Sequence, residues 1–224
     1  MKGILYGIGV GPGDPELLTL KSIKTIAACD VIVAPGSGAE KQTALGIAHA
    51  YIGEKPVLPL DLPMTRDKSE LTQKREQAAD MICAKLDAGE SVGFLTLGDP
   101  TVYSTYSYLH TMITSRGYEA TIIPGVTSFC AAAAALGRPL CEGDEALHIL
   151  PASCEDLENA ILLDGTKVLM KSGKKLRETI DLLKEKKLEA TIAQRVGMED
   201  EKLSDDLDAD VETDYFSIII VKGN

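Results

Sequence analysis

The sequence predicts an α/β protein with two α/β domains. Short apolar runs that are typical of buried strands recur along the 224 residues, and segments with helical periodicity separate them. Alternating strands and helices are typical of a parallel sheet that helices cover on both faces. The dipeptide Pro124-Gly125 interrupts this pattern. We therefore expect an N-terminal domain with a parallel sheet over residues 1–123, and a C-terminal domain with a mixed sheet over residues 124–224.

The first half alternates clearly between the two kinds of element. Asp14 is expected to cap the first helix, with Pro15 at its first position. Leu17, Leu18, Ile23 and Ile26 form the apolar face of that helix. The remaining predicted helices are 39–50, 69–88 and 104–116, and the predicted strands are 4–9, 31–34, 56–58, 92–97 and 121–123.

The second half continues with shorter elements. An acidic stretch at 199–214 is interpreted as an exposed loop or hairpin. The predicted helices are 128–136, 155–163 and 174–187, and the predicted strands are 147–149, 167–170, 191–193 and 216–221.

The composition excludes several classes of function. The formal charge is −11, so the chain repels nucleic acid phosphates, and we expect no nucleic acid partner. No apolar stretch approaches the length of a membrane span, and no signal-peptide pattern is evident, so we expect no membrane partner and a cytoplasmic location. The five cysteines are expected to be free, buried thiols, and the scattered histidines indicate no metal site.

A glycine-rich loop follows the first predicted strand. Gly7 and Gly9 begin a pattern like the dinucleotide fingerprint, but Pro12 occupies the place of its third glycine, and Asp30 precedes the second strand instead of following it. A nicotinamide cofactor is therefore disfavoured. The loop still allows close approach of a ligand to the backbone, although a tight turn from strand to helix explains it equally well.

Two further Gly/Pro loops follow predicted strands. Residues 96–104 (TLGDPTVYS) place Asp99 at a strand end, where Asp99 or Ser104 could instead cap the next helix. Residues 124–128 (PGVTS) open another helix, or form an interdomain turn with a helix cap. Ligands bind at the carboxyl ends of parallel strands, so three such loops predict one shared cleft.

The sequence contains none of the common motifs for covalent, phosphate-loop or zinc chemistry. No residue is assigned as a catalytic acid or base. A group transfer that depends on positioning, with the reactivity held in a cofactor, fits this absence.

The three loops together resemble the tetrapyrrole methylase family. Residues 7–15 (GIGVGPGDP), 97–100 (LGDP) and 123–128 (IPGVTS) match its three signatures in order and spacing. Residues 98–105 and 194–198 (QRVGM) are most similar to the branch that methylates C20 of precorrin-2 or cobalt-precorrin-2. After the second predicted strand, the uroporphyrinogen methylases usually have a Tyr-Asp-Arg-Leu segment. This chain has APGS there, at residues 34–37, which disfavours that branch of the family.

The resemblance implies two α/β domains with S-adenosylmethionine in the cleft between them, S-adenosylhomocysteine as a product, a tetrapyrrole substrate and a homodimer. The residues matched to the cofactor are Pro12, Leu97, Gly98, Asp99, Val102, Tyr103, Thr127, Ser128, Met170 and Gly197. Gly11, Gly13 and Asp14 of the first loop are expected to shape the substrate side. Candidate cations for the substrate carboxylates, chosen because they lie near these loops or the expected domain junction, are Lys21, Lys41, Arg66 and Arg138. A solvated surface position is the alternative for each of them. Members of this fold that act on another tetrapyrrole, on RNA or on a protein side chain are the alternatives, as is a sensor that binds the cofactor without turnover.

Overall fold

A computed structural model describes residues 1–34, 39–62, 67–207 and 212–223; within these ranges, the side chains of residues 39–42, 68 and 174 are not described. The chain divides into two compact units, Met1–Thr127 and Ser128–Asn224. The sequence-based boundary, between residues 123 and 124, lies just before this division.

The first unit contains a five-stranded parallel sheet in the order β3-β2-β4-β1-β5. Strands β2 and β4 are buried along their whole length, which explains why their sequences are continuous apolar runs. The elements are β1 (Leu5–Gly9), α1 (Leu20–Ala28), β2 (Val31–Val33), α2 (Ala39–Ile52), β3 (Val57–Leu58), α3 (Lys68–Asp87), β4 (Val92–Thr96), α4 (Tyr106–Ser115) and β5 (Ala120–Ile123).

Each face of this sheet buries its own apolar layer. Phe94 packs with residues of α3 and α4, such as Ile82 and Leu109. The next residue of β4, Leu95, packs on the other face with Ile26 of α1 and Ile47 of α2. This alternation follows from the two-residue period of a strand. The predicted α/β class is confirmed.

The first helix begins later than the sequence analysis predicts. Asp14 caps only a 3₁₀ turn, Pro15–Leu17, in which its Oδ1 accepts a hydrogen bond from the Glu16 amide at 2.8 Å. Thr19 is the cap of α1, because its Oγ1 accepts from the Ser22 amide at 3.0 Å. Leu17 and Leu18 therefore precede α1, and the prediction that they lie on its apolar face is wrong.

The second unit contains a five-stranded mixed sheet in the order β6-β7-β10-β8-β9. Strands β6 and β7 are parallel, and β10 is antiparallel to both β7 and β8. The acidic stretch contributes β9, which pairs antiparallel with β8. The elements are α5 (Ser128–Ala135), β6 (Leu147–Pro151), α6 (Leu157–Ala160), β7 (Thr166–Met170), α7 (Leu176–Glu185), β8 (Ala190–Gln194), β9 (Lys202–Ser204) and β10 (Ser217–Val221).

Helix α7 covers one face of the second sheet. Its buried Ile180 and Leu183 pack in one cluster with Leu169, Ile192 and Ile219 from the three central strands. The predicted helix over 174–187 instead begins with a 3₁₀ turn, Gly173–Lys175, before α7.

The cysteines are all free, as expected, but only Cys29 and Cys83 are buried. Cys130 and Cys141 are exposed, so the expectation of five buried thiols is wrong. Across the described ranges, no helix combines the length and apolarity that crossing a bilayer requires. Within the same ranges, no group of three or more His, Cys, Asp or Glu side chains is arranged to hold a metal ion.

Candidate functional site

Three glycine-containing loops meet at the carboxyl edge of the first sheet. They follow β4, β1 and β5, which are adjacent in the sheet. The loops after β1 and β4 are joined directly, because the Gly98 amide donates to the Gly11 carbonyl at 2.8 Å. The Gly11 amide donates back to the Gly98 carbonyl at 3.3 Å. The predicted convergence of the loops therefore holds within the first unit.

Glycine is required where these loops come closest. A Cβ atom on Gly9 would lie 2.5 Å from the Gly125 nitrogen, and one on Gly125 would lie 2.2 Å from the Gly98 carbonyl oxygen. These distances are far inside van der Waals contact, so no side chain fits at either position. The backbones of the three loops therefore pack directly against one another at this edge of the sheet.

Asp99 fastens the loop after β4 to the loop after β5. Its side chain is 8% exposed. Oδ1 accepts from the Thr101 amide at 2.8 Å and from the Thr101 hydroxyl at 2.5 Å, and Oδ2 accepts from the Gly125 amide at 2.9 Å. The alternative in which Asp99 caps α4 is therefore wrong. Ser104 is the residue whose Oγ accepts from the first amide of α4, that of Tyr106, at 3.0 Å.

The loop after β1 is anchored from α1. The buried Ser22 hydroxyl donates to the Gly9 carbonyl at 2.9 Å and lies 2.8 Å from the Thr19 hydroxyl. Neither Thr19 nor Ser22 is among the site residues predicted from the sequence. The signal for Thr19 is its residue type, because threonine is a preferred N-cap, and Ser22 follows it in the first turn of α1.

The remaining first-unit residues that the sequence analysis selected lie around these loops. Pro12 is buried, Leu97 and Val102 are half-buried, and Lys21 is exposed in the first turn of α1. Tyr103 is 42% exposed and has a left-handed backbone with φ of 47°. A left-handed tyrosine stores strain, which is common in ligand-binding loops.

Two hydroxyl groups at this edge suit a polar ligand. Within the described residues, the Oγ1 atoms of Thr96 and Thr127 are buried and make no hydrogen bond. Leaving a buried hydroxyl unpaired costs about 1–3 kcal/mol. Thr96 ends β4 and Thr127 ends the first unit. Together with the glycine backbones, these residues fit a ligand that supplies hydrogen-bonding groups.

The other selected residues belong to the second unit. Ser128 begins α5, and Met170 ends β7 with a half-buried side chain. Gly197 is left-handed with φ of 76°, and its amide donates to Glu201 at 2.8 Å, so that amide is occupied within the chain.

Arg138 is held by an acidic side chain. Its two terminal nitrogens donate to both Asp205 oxygens at 2.9 and 2.7 Å. The hydrogen bond to Asp205 raises the pKa of Arg138, and the hydrogen bonds from Arg138 and Thr191 lower the pKa of Asp205. This pairing favours a structural role for Arg138. Arg66 and the side chain of Lys41 lie outside the described residues.

A family model and several known relatives match this chain over most of its length. A family model described as Tetrapyrrole (Corrin/Porphyrin) Methylases matches residues 4–208. The chain is 38% identical to a probable cobalt-precorrin-2 C(20)-methyltransferase of Methanocaldococcus jannaschii, over 97% of this chain and 95% of the relative. It is 32% identical to a precorrin-2 C(20)-methyltransferase of a Sinorhizobium species, over 99% of this chain and 96% of the relative.

A solved structure has the same fold. The uroporphyrin-III C-methyl transferase of Thermus thermophilus, complexed with S-adenyl homocysteine, is 20% identical and gives a TM-score of 0.71 over 98% of this chain and 97% of the other. The family model covers most of the sequence and includes all three glycine loops. The chain belongs to the tetrapyrrole (corrin/porphyrin) methylases.

Proposed function

We propose that this chain is an S-adenosylmethionine-dependent methyltransferase that methylates C20 of precorrin-2 or cobalt-precorrin-2 in cobalamin biosynthesis. The observation that carries the proposal is the near-full-length similarity to two relatives with these activities in their names. The first sheet supports it, because the three loops that match the family meet at its carboxyl edge, where ligands of parallel sheets bind.

The first unit supplies one set of residues that would hold S-adenosylmethionine. Leu97, Val102 and Tyr103 offer apolar surface beside the backbone of Gly98, and Pro12 borders it from the loop after β1. Asp99 already accepts three hydrogen bonds, so its main task is to keep the Gly98 turn in place. The hydroxyl of Thr127 gives the ligand a hydrogen-bonding partner. Ser128, Met170 and Gly197 of the second unit complete the proposed set.

The cofactor supplies a methyl group that its sulfonium sulfur makes electrophilic, so transfer to an electron-rich ring carbon needs alignment more than acid or base assistance. The chain contributes rigidity: Asp99 and Ser22 lock the three loops together through buried hydrogen bonds. Apolar residues next to Gly98 exclude water from the reacting groups.

The loop after β1 is proposed to contact the tetrapyrrole substrate. Gly11, Gly13 and Asp14 shape the surface, and Lys21 offers an exposed ammonium group to a substrate carboxylate. Arg66 is proposed for the same task.

We also propose that the chain forms a homodimer in the cytoplasm. The apolar stretch 129–136 does not carry the dimer contact by itself, because Phe129, Ala131, Ala132 and Ala133 are buried within the chain. Light scattering on the purified protein measures the mass directly.

Labelled methyl transfer tests the activity. The purified chain is incubated with S-adenosylmethionine that carries a radioactive methyl group and with precorrin-2, with and without cobalt in the ring. Transfer to one form establishes the reaction and identifies the cobalt state of the substrate. Binding of S-adenosylmethionine without transfer to either form would reject the substrate and direct the search to another tetrapyrrole, RNA or a protein side chain.

A further inference from the structure

A groove lies between the first two turns of α3 and the first two turns of α4. Its volume is about 440 Å³, and its walls include Arg75 of α3 and Ser107, Tyr108 and Thr111 of α4. Both helices start at the carboxyl edge of the first sheet, because α3 follows β3, α4 follows β4, and the strands are parallel. This α3–α4 groove therefore lies toward the edge at which the three glycine loops meet.

An aromatic ring holds the Arg75 side chain in this groove. The central carbon of the Arg75 guanidinium lies 3.6 Å from the centroid of the Tyr108 ring. Tyr108 is the third residue of α4, so at a rise of about 1.5 Å per residue it lies about 3 Å from the start of the helix. The loop that carries Gly98 and Asp99 leads directly into this start. Stacking on Tyr108 therefore places the guanidinium close to that loop and restricts its motion.

The Arg75 guanidinium keeps hydrogen-bonding capacity for a ligand. Its Nε atom is buried and makes no hydrogen bond within the described residues, which is a costly state for an N–H group. Glu76, the acidic residue that borders the groove, is paired with Arg116 of α4 instead. The other described lysines of α3 also have acidic partners, since Lys74 lies 2.6 Å from Asp61. Lys85 lies 2.9 Å from Glu90.

The hydroxyl groups of the groove do not replace Arg75 as donors. The Ser107 Oγ donates to the Ser104 carbonyl at 2.8 Å, and the Thr111 Oγ1 donates to the Ser107 carbonyl at 3.1 Å. Both hydroxyl protons are therefore engaged with the backbone of α4. Recognition of an anion in the α3–α4 groove depends on the guanidinium, whose planar N–H groups match the two oxygens of a carboxylate.

We propose that Arg75 binds a carboxylate of the tetrapyrrole substrate, an inference that rests on the proposed function. A chain with a formal charge of −11 must present local cations to hold a ligand with several carboxylates. These carboxylates are carried on side chains around the macrocycle, so one of them reaches the α3–α4 groove while the ring lies at the carboxyl edge of the sheet. A carboxylate there also supplies the acceptor that the Arg75 guanidinium lacks within the described chain.

Titration with uroporphyrin, a stable macrocycle with many carboxylates, tests this binding apart from turnover. Porphyrin fluorescence gives the dissociation constant for the unchanged chain and for Arg75→Gln, Arg75→Lys and Lys85→Gln. Lys85→Gln is the matched control, because it removes the same charge from the other end of α3, about 15 Å along the helix axis. Its exposed pair with Glu90 contributes little to stability. Urea denaturation checks that each variant folds, and calorimetry gives the affinity for S-adenosylhomocysteine.

We expect Arg75→Gln to weaken uroporphyrin binding about three- to tenfold at low salt, with a smaller difference at high salt. Arg75→Lys should weaken it less, because it keeps the charge and loses the planar pair of donors. Lys85→Gln should bind as the unchanged chain does. The affinity for S-adenosylhomocysteine should be the same in all four proteins, since a purely structural role of Arg75 would alter both ligands.

Four results would each overturn the inference: equal weakening by Arg75→Gln and Lys85→Gln, no weakening by Arg75→Gln, parallel loss of both ligands, or no uroporphyrin binding by the unchanged chain. The proposed function is judged separately by methyl transfer. Uroporphyrin binding that depends on Arg75, without transfer to precorrin-2, would reject the proposed function and keep the inference for another tetrapyrrole. Transfer to precorrin-2 with binding that does not depend on Arg75 would do the reverse.

Discussion

The carboxyl edges of the two sheets are built in different ways. In the first sheet, backbone contacts between Gly9, Gly11, Gly98 and Gly125 bring three loops together, and the buried Asp99 carboxylate joins two of them. In the second sheet, the turns after β7 and β8 hold the charged residues Lys171 and Arg195 in left-handed conformations. The first edge depends on positions where no side chain fits, whereas the second keeps residues with long side chains in a strained backbone.

The largest effect is expected from a side chain added at Gly125, where the three loops of the first unit contact one another. In Gly125→Ala, the new Cβ would lie 2.2 Å from the Gly98 carbonyl oxygen, so the loops must separate. We expect the free energy of unfolding to fall by about 3 kcal/mol, together with loss of S-adenosylhomocysteine binding. Urea denaturation and calorimetric titration measure the two effects.

Gly46→Ala is the control for this change. Gly46 lies in α2, and a Cβ there would meet no atom within 4 Å. Alanine in the helix interior should stabilise the chain by about 0.5–1 kcal/mol and leave binding unchanged. A Gly125→Ala variant as stable as the unchanged chain would contradict the close packing of the three loops.

The second prediction concerns the Asp99 clamp. Asp99→Asn keeps the size of the side chain, but an amide group cannot accept hydrogen bonds through both of its ends. One of the bonds to Thr101 or Gly125 must therefore be lost in a buried place, which should destabilise the chain by about 2 kcal/mol.

Asp14→Asn is the matched change at a partly exposed residue. Asp14 accepts only from the Glu16 amide among the bonds described, and asparagine caps as well as aspartate does. Denaturation of both variants should therefore show a clear loss for Asp99→Asn and almost none for Asp14→Asn. Similar stabilities for the two variants would show that Asp99 does not clamp the loops.

The smallest effect is expected from the Arg138–Asp205 ion pair of the second unit. Arg138 lowers the pKa of Asp205 below its ordinary value near 3.8, so this pair stabilises the folded chain above about pH 4 and the contribution is lost as the pH falls further. Arg138→Gln should reduce the dependence of stability on pH in this acidic range. Thermal melts between pH 2.5 and 6 measure it, and an unchanged acid profile would contradict the pairing.

Much of the first unit could be predicted from sequence because its signals are local. Buried parallel strands give continuous apolar runs, and β1, β2 and β4 all appear where such runs lie. The start of α1 was misplaced because Asp14 and Thr19 are both good caps a few residues apart. Asp14 closes a single 3₁₀ turn, and only Thr19 leads into a helix.

The contacts of the site depend on information that the sequence does not display. The Asp99 bond to Gly125 requires β4, β1 and β5 to be neighbours, which is a property of strand order. The left-handed positions Lys171 and Arg195 are themselves neither glycine nor asparagine, the residue types that would signal such a backbone. Arg138 and Asp205 are far apart in the chain. Sequence spacing alone therefore does not show whether Arg138 pairs with an acidic side chain or contacts the substrate.

The position of the transferred methyl group tests the central claim most directly. The chain is incubated with precorrin-2 or cobalt-precorrin-2 and with S-adenosylmethionine that carries a ¹³C methyl group, and the product is analysed by carbon NMR. We expect one new methyl signal, from a methyl carbon that is bonded directly to C20 of the macrocycle. A labelled methyl group at any other ring carbon, or an unlabelled macrocycle beside bound cofactor, would contradict it.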